Sequence, residues 1–140
     1  MASPAQPERH RGSCLCGAVA YEIDGELTDL VHCHCAMCRK MHGAAFGTYA
    51  SAPRSAFRFV RGEGNVVSYR SSGPVTRTFC GTCGSTLQFM RDGRATVSIA
   101  VGTLDTDPRR RPTRHIWTAD KAPWWHIGDG LPQYEAAEPR

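Results

Sequence analysis

Apolar and polar positions alternate over short stretches of this 140-residue chain and never settle into a long helical period. Val19, Tyr21 and Ile23 alternate with Ala18, Ala20 and Glu22 ahead of the turn residues Asp24 and Gly25, the period of a half-buried strand. A second strand is expected over Leu30 to Cys35. Ala36 to His42 has room for one helical turn at most, with Gly43 ending it, and Ala45 to Tyr49 resumes an extended pattern. Phe57 to Val60, Asn65 to Tyr69 and Val75 to Phe79 read as further short strands in the manner of a meander, broken at Gly62 to Gly64 and at Ser71 to Pro74. Thr86 to Met90 and Ala95 to Val101 flank Arg91-Asp92-Gly93-Arg94, where Asp-Gly suits the positive φ of a tight type I′ hairpin. On its second strand Val97, Ile99 and Val101 should face the core, with Thr96, Ser98 and Ala100 toward solvent. After Asp105 the pattern dissolves into a Pro- and Arg-rich loop, then His115 to Trp117 and the pair Trp124-Trp125.

Composition narrows the class. Hydrophobic residues at 41% and charged residues at 21% are too apolar for disorder, and 14 Gly with 9 Pro break the chain too often for a helical bundle. The length suits one domain, expected over residues 10–135, between a disordered leader at 1–9 and a tail at 136–140. No apolar run approaches the roughly 20 residues that cross a bilayer, and the first residues lack the apolar stretch of a signal peptide. The expectation is a soluble, cytoplasmic protein. The formal charge is +4, with 15 of the 17 basic residues arginine and scattered apart from Arg109 to Arg111. That dispersion argues against a nucleic-acid footprint.

The cysteines change the picture. All seven fall in short groups: Cys14 and Cys16; Cys33, Cys35 and Cys38; Cys80 and Cys83. Seven thiols cannot pair among themselves, and without an export signal metal ligation is the better account. C-x-C sets two sulfurs on one face of an extended segment, and C-x2-C bends the backbone so that both converge on one ion. Seven divides as four plus three, a closed structural site and a site with an open fourth position. Cys33, Cys35 and Cys38 can come from one local strand and turn; Cys14, Cys16, Cys80 and Cys83 would then form the closed site, clipping a long loop. Iron–sulfur spacings are absent, so zinc is expected, and two zinc ions on seven thiolates would lower the +4 to about +1.

Three segments, in this order and spacing, resemble one family: Gly12-Ser13-Cys14-Leu15-Cys16-Gly17-Ala18-Val19, Cys33-His34-Cys35-Ala36-Met37-Cys38-Arg39-Lys40, and Phe79-Cys80-Gly81-Thr82-Cys83-Gly84-Ser85. They are similar to the glutathione-dependent formaldehyde-activating enzyme (GFA) family, which also includes centromere protein V. Val101 to Asp105, His115 to Trp117, Lys121 to Trp124 and Leu131 to Tyr134 extend the likeness over roughly residues 10–135. The resemblance implies an all-β fold, a small zinc-stabilised beta-tent of short antiparallel strands, with two Zn2+ per chain. It implies a structural zinc on Cys14, Cys16, Cys80 and Cys83 and a catalytic zinc on Cys33, Cys35 and Cys38. It also implies a carbon–sulfur lyase that joins glutathione and formaldehyde into S-(hydroxymethyl)glutathione or separates them. The thiol sulfur is expected at the open position beside Cys33, Cys35 and Cys38, where it adds to a small aldehyde, with orientation and capture the main contribution of the protein.

Other residues carry weaker signals. Arg39 and Lys40 could hold the carboxylates of glutathione or simply form a solvated helix face. His32 and His34 alternate with Cys33 and Cys35 and so should point away from the metal, while His42 is a candidate proton carrier or a packed capping residue. Trp117, Trp124 and Trp125 are expected to wall the pocket or fill the core. A non-catalytic zinc-stabilised module that binds protein or nucleic acid is the alternative. It leaves the three-cysteine group unexplained, since a structural zinc needs only four ligands.

Overall fold

The computed structural model describes residues 8–138. Residues 1–7 of the expected leader and 139–140 of the tail lie outside the described residues. Ten strands and one short helix follow in order: β1 (Arg9–Ser13), β2 (Ala20–Asp24), β3 (Leu30–Cys33), α1 (Ala36–His42), β4 (Gly47–Pro53), β5 (Phe57–Arg61), β6 (Val66–Ser72), β7 (Val75–Cys80), β8 (Thr86–Arg91), β9 (Thr96–Ala100) and β10 (Pro112–Ile116). The fold is all-β. A three-stranded antiparallel sheet runs β1-β2-β5, and a seven-stranded sheet runs β10-β3-β4-β9-β8-β7-β6.

The main core lies between the two sheets. Tyr21 and Ile23 from the small sheet, with Val19 just ahead of β2, meet Ala50, Ala52, Leu87 and Ile99 from the large one, together with Leu27, Leu30, Cys14 and Cys80. Period-two alternation then sends every second residue of the large sheet to its other face, where Cys33, Cys38 and Tyr49 form a second cluster with Val31, Phe89 and Ile116. This second face positions the candidate site.

Several local readings differ from the structure. α1 spans seven residues, about two turns; its N-cap is Cys35, whose sulfur accepts from Cys38 N–H, and Gly43 ends it at φ 60° as expected. β5 leaves the meander to pair with β2, so only β6 to β9 form one. The β8–β9 loop is not a type I′ turn, since positive φ occurs at Gly93 but not at Asp92. Four residues, Asp92 to Ala95, separate the paired strands, with Arg94 N–H donating to the Arg91 carbonyl. Finally, the sheet is not wholly antiparallel: β10 pairs with β3 in parallel, Ile116 opposite Cys33. Val97 and Ile99 face the core as expected, but Ala100 is buried too. Among the described residues no helix is long and apolar enough to cross a membrane.

Candidate active site with two cysteine centres

The sulfurs of Cys14, Cys16, Cys80 and Cys83 lie within 4.8 Å of one another, and those of Cys33, Cys35 and Cys38 do the same. The four-plus-three division read from spacing is therefore the division the fold assembles, and each group is able to hold a metal ion.

The four-cysteine centre joins two turns. Cys14 and Cys16 follow β1 in a turn rather than in the extended segment expected for C-x-C, with Gly17 N–H donating to the Cys14 carbonyl. Cys80 closes β7, and Gly84 at φ 80° lets the chain double back so that Gly84 N–H reaches the Cys80 carbonyl. The donors to these sulfurs are neutral. Val19 N–H reaches Cys14 Sγ at 3.2 Å, while Thr82 N–H and Asn65 Nδ2 each reach Cys80 Sγ at 3.4 Å. Ser85 Oγ lies 3.2 Å from Cys83 Sγ, and its hydrogen bond with backbone support holds the Cys83 thiol down at about 5.

The three-cysteine centre comes from one segment, at the end of β3, the N-cap of α1 and its first turn. Hydrogen bonds from Cys33 and then Cys38 lower the Cys35 thiol to about 2, while the bond to Cys35 pushes Cys33 upward. Behind Cys38 stand three groups that sequence reasoning did not bring together. Tyr49 Oη donates to Cys38 Sγ at 3.4 Å, Arg77 Nη1 donates to Tyr49 Oη at 3.1 Å, and both Arg77 Nη atoms lie 3.6 Å from Cys38 Sγ. His42 Nε2 is 2.8 Å from Tyr49 Oη. A Cβ at Gly47 would lie 2.8 Å from the His42 ring, so glycine there lets the ring rest against β4. Burial and then Arg77 hold the His42 imidazole below its ordinary range, and burial raises the Tyr49 phenol.

Here the two centres part. Cys33, Cys35 and Cys38 line a cavity of about 480 Å³ whose floor is the second face of the large sheet. Tyr49, Ser51, Ser98, Phe89, Arg77 and Arg91 are floor residues placed by strand register: Ser51 opposes Ser98, Phe89 opposes Ser98, and Arg77 opposes Phe89. Arg94, Arg114, Trp117 and Asp120 complete its wall. Arg114 Nε lies 2.6 Å from Glu138 Oε2, an ion pair off the axis of a hydrogen bond, and Arg91 Nε is buried without a partner among the described residues.

Other sequence candidates fall elsewhere. Arg39 is half-buried and Lys40 exposed, and neither lines the cavity. His32 and His34 turn away from the sulfurs as alternation requires: His32 Nδ1 meets Thr48 Oγ1 at 2.7 Å, and His34 Nε2 meets His115 Nδ1 at 2.8 Å, with Asp129 behind His115. Trp125 packs edge-on against Phe46 with centroids 6.0 Å apart, and Trp124 is exposed, so neither fills the core. Arg110 bonds the Leu27 carbonyl and Arg111 pairs with Asp107.

Fold and site define a small all-β chain with two cysteine clusters able to hold metal, one of four sulfurs and one of three that opens onto an arginine-lined cavity. The match of residues 9–120 to the glutathione-dependent formaldehyde-activating enzyme model places it further: the chain belongs to that family. It is similar at 34% identity over 80 residues to an uncharacterized lyase of Schizosaccharomyces pombe, covering 57% of this chain and 56% of that protein. The chain thus spans about half the length of that curated relative. A crystal structure of a Rhodobacter sphaeroides protein is also similar, with 31% identity and a TM-score of 0.59 over 74% of this chain and 99% of that one.

Proposed function

We propose that this chain is a carbon–sulfur lyase-type enzyme that joins or separates a carboxylate-bearing thiol, glutathione by family likeness, and a small aldehyde such as formaldehyde. The observation that carries the reading is the opening of the three-cysteine centre onto the arginine-lined cavity. Membership of the GFA family and the lyase name of the yeast relative support it.

A soft donor set of three sulfurs fits zinc, with Cys33, Cys35 and Cys38 as its ligands, and Cys14, Cys16, Cys80 and Cys83 as those of a second, structural ion. Zinc at the open centre would acidify a thiol and polarise an aldehyde oxygen. The remaining work falls to the chain. Arg91, Arg94 and Arg114 offer planar forks to the thiol's carboxylates, with the substrate displacing Glu138 from Arg114. Val31, Phe89 and Ile116 line the cavity as apolar surface that excludes water. In the joining direction the thiol loses its proton, sulfur bonds the aldehyde carbon, and the oxygen gains a proton, so no further reactant is needed. Tyr49 Oη faces the cavity with His42 Nε2 behind it, a pair that can hold and pass that proton. Arg39 and Lys40 have no part in this arrangement.

Aldehyde-dependent consumption of glutathione tests the proposal. The native protein should exceed the uncatalysed rate, and Cys35→Ala should return it to that rate while keeping a native circular dichroism spectrum. Equal turnover in a folded Cys35→Ala protein overturns the assignment.

A further inference from the structure

Arg77 is an arginine at the middle of β7 that is only 2% exposed. A guanidinium does not release its proton in proteins, so its charge is permanent and needs an anion once water is removed. Among the described residues no carboxylate lies within ion-pair distance of it. Its partners are Ser71 Oγ at 2.9 Å, Tyr49 Oη at 3.1 Å, Cys38 Sγ at 3.6 Å and the face of Phe89, 5.0 Å from the ring centroid. Serine and phenylalanine are neutral, and so is a tyrosine phenol at neutral pH. The sulfur cluster is the anion that remains.

The donor count points the same way. Of five guanidinium hydrogens, Nε uses one on Ser71, Nη1 divides two between Tyr49 and Cys38, and Nη2 gives one to Cys38. Little is left for a ligand in the cavity. In this Arg77 differs from Arg91, Arg94 and Arg114, and it acts on the centre rather than on what enters it.

We propose that Arg77 is the fixed counter-charge of the three-cysteine centre, a positioning residue that sets that centre's affinity for a divalent metal and leaves the four-cysteine centre untouched. This rests on the reading of the cluster as a metal site. A divalent ion on three thiolates carries one net negative charge, which the guanidinium cancels in a region with little water. With a thiolate as fourth ligand the ensemble would carry one negative charge rather than two, so the same residue favours a thiolate over a neutral molecule at the open position. The four-cysteine centre has backbone N–H groups, an amide and a hydroxyl around its sulfurs and, among the described residues, no cation hydrogen-bonded to them.

Zinc retention in the full chain, followed by native mass spectrometry against a graded chelator, reads each centre separately. Arg77→Met should weaken the three-cysteine zinc by 10- to 100-fold, the range for losing a partner of a ligand, with the four-cysteine zinc unchanged. Arg77→Lys should restore affinity to within about threefold of native, because charge is what matters; Tyr49→Phe, which removes a neutral donor, should lose less than Arg77→Met. Native affinity in Arg77→Met overturns the proposal, as does an Arg77→Lys protein tenfold or more below native. If Arg77→Met does not fold, Arg77→Lys decides by the same thresholds. A native chain that holds only the four-cysteine zinc overturns the metal reading and the role built on it; two zincs with indifferent Arg77 variants overturn this role alone.

Discussion

The two cysteine centres are built from the same atoms by opposite means. Cys14, Cys16, Cys80 and Cys83 are drawn from two turns far apart in the chain, and their sulfurs are surrounded by Val19 N–H, Thr82 N–H, Asn65 and Ser85. Cys33, Cys35 and Cys38 come from one strand-to-helix junction, open onto a cavity, and rest on a buried guanidinium. A metal on the first joins distant parts of the fold, so its binding energy is folding energy. On the second it would join residues the backbone already holds together, so its loss should leave the fold standing and remove the proposed chemistry. The difference teaches that ligand number is not the whole distinction; sequence span and counter-charge matter as much.

Breaking each centre in turn should separate these roles most sharply. Cys80→Ser should cost stability on the order of 10 kcal/mol, comparable with the roughly 5–15 kcal/mol that holds a domain folded, and so abolish the cooperative thermal transition seen by circular dichroism. Cys35→Ser should keep that transition and lose one zinc. A smaller effect concerns the arginine-lined cavity beside the three-cysteine centre. Arg91→Ala should raise KM for glutathione about tenfold, through a lost charge-assisted hydrogen bond, with both zincs retained. Steady-state kinetics beside a metal count checks this.

Smallest are the neutral donors, one on each side. Asn65→Ala removes bonds to Cys80 Sγ and Thr82 Oγ and should lower stability by about 1 kcal/mol in a denaturant titration. Its rate of thiol consumption should be native. Tyr49→Phe removes the bond to Cys38 Sγ and should show the reverse, a slower reaction with little change in the four-cysteine zinc.

The grouping of the cysteines was legible in the sequence because its constraint is local: C-x-C and C-x2-C bring sulfurs together through neighbouring backbone. Strands such as β2 and the core face of β9 were legible for a similar reason, since alternation along Val19, Tyr21, Ile23 and along Val97, Ile99 is a local signature of a buried face. What was not legible depends on register between distant strands. Arg77 reads as one of 15 arginines until the pairing of β7 with β8 sets it opposite Phe89 and the sheet carries Tyr49 to the same face. An arginine at an inward position beside Val75 was the available signal. The choice of Arg39 and Lys40 followed chain proximity to the cysteines, whereas α1 places them off the cavity and β7, β8, the β8–β9 loop and β10 supply its arginines. β5 joining the small sheet and β10 lying parallel to β3 are pairings that no local pattern specifies.

The central claim, two metal centres of unequal standing, is most directly tested by native mass spectrometry of the purified chain through a stepwise chelator titration, with Cys35→Ser measured alongside. Two zincs should be present at the start, and one should be lost while the protein stays folded. The remaining zinc should match that of Cys35→Ser and leave only as the fold is lost. A single zinc from the outset, or two that leave together with the fold, would contradict that claim.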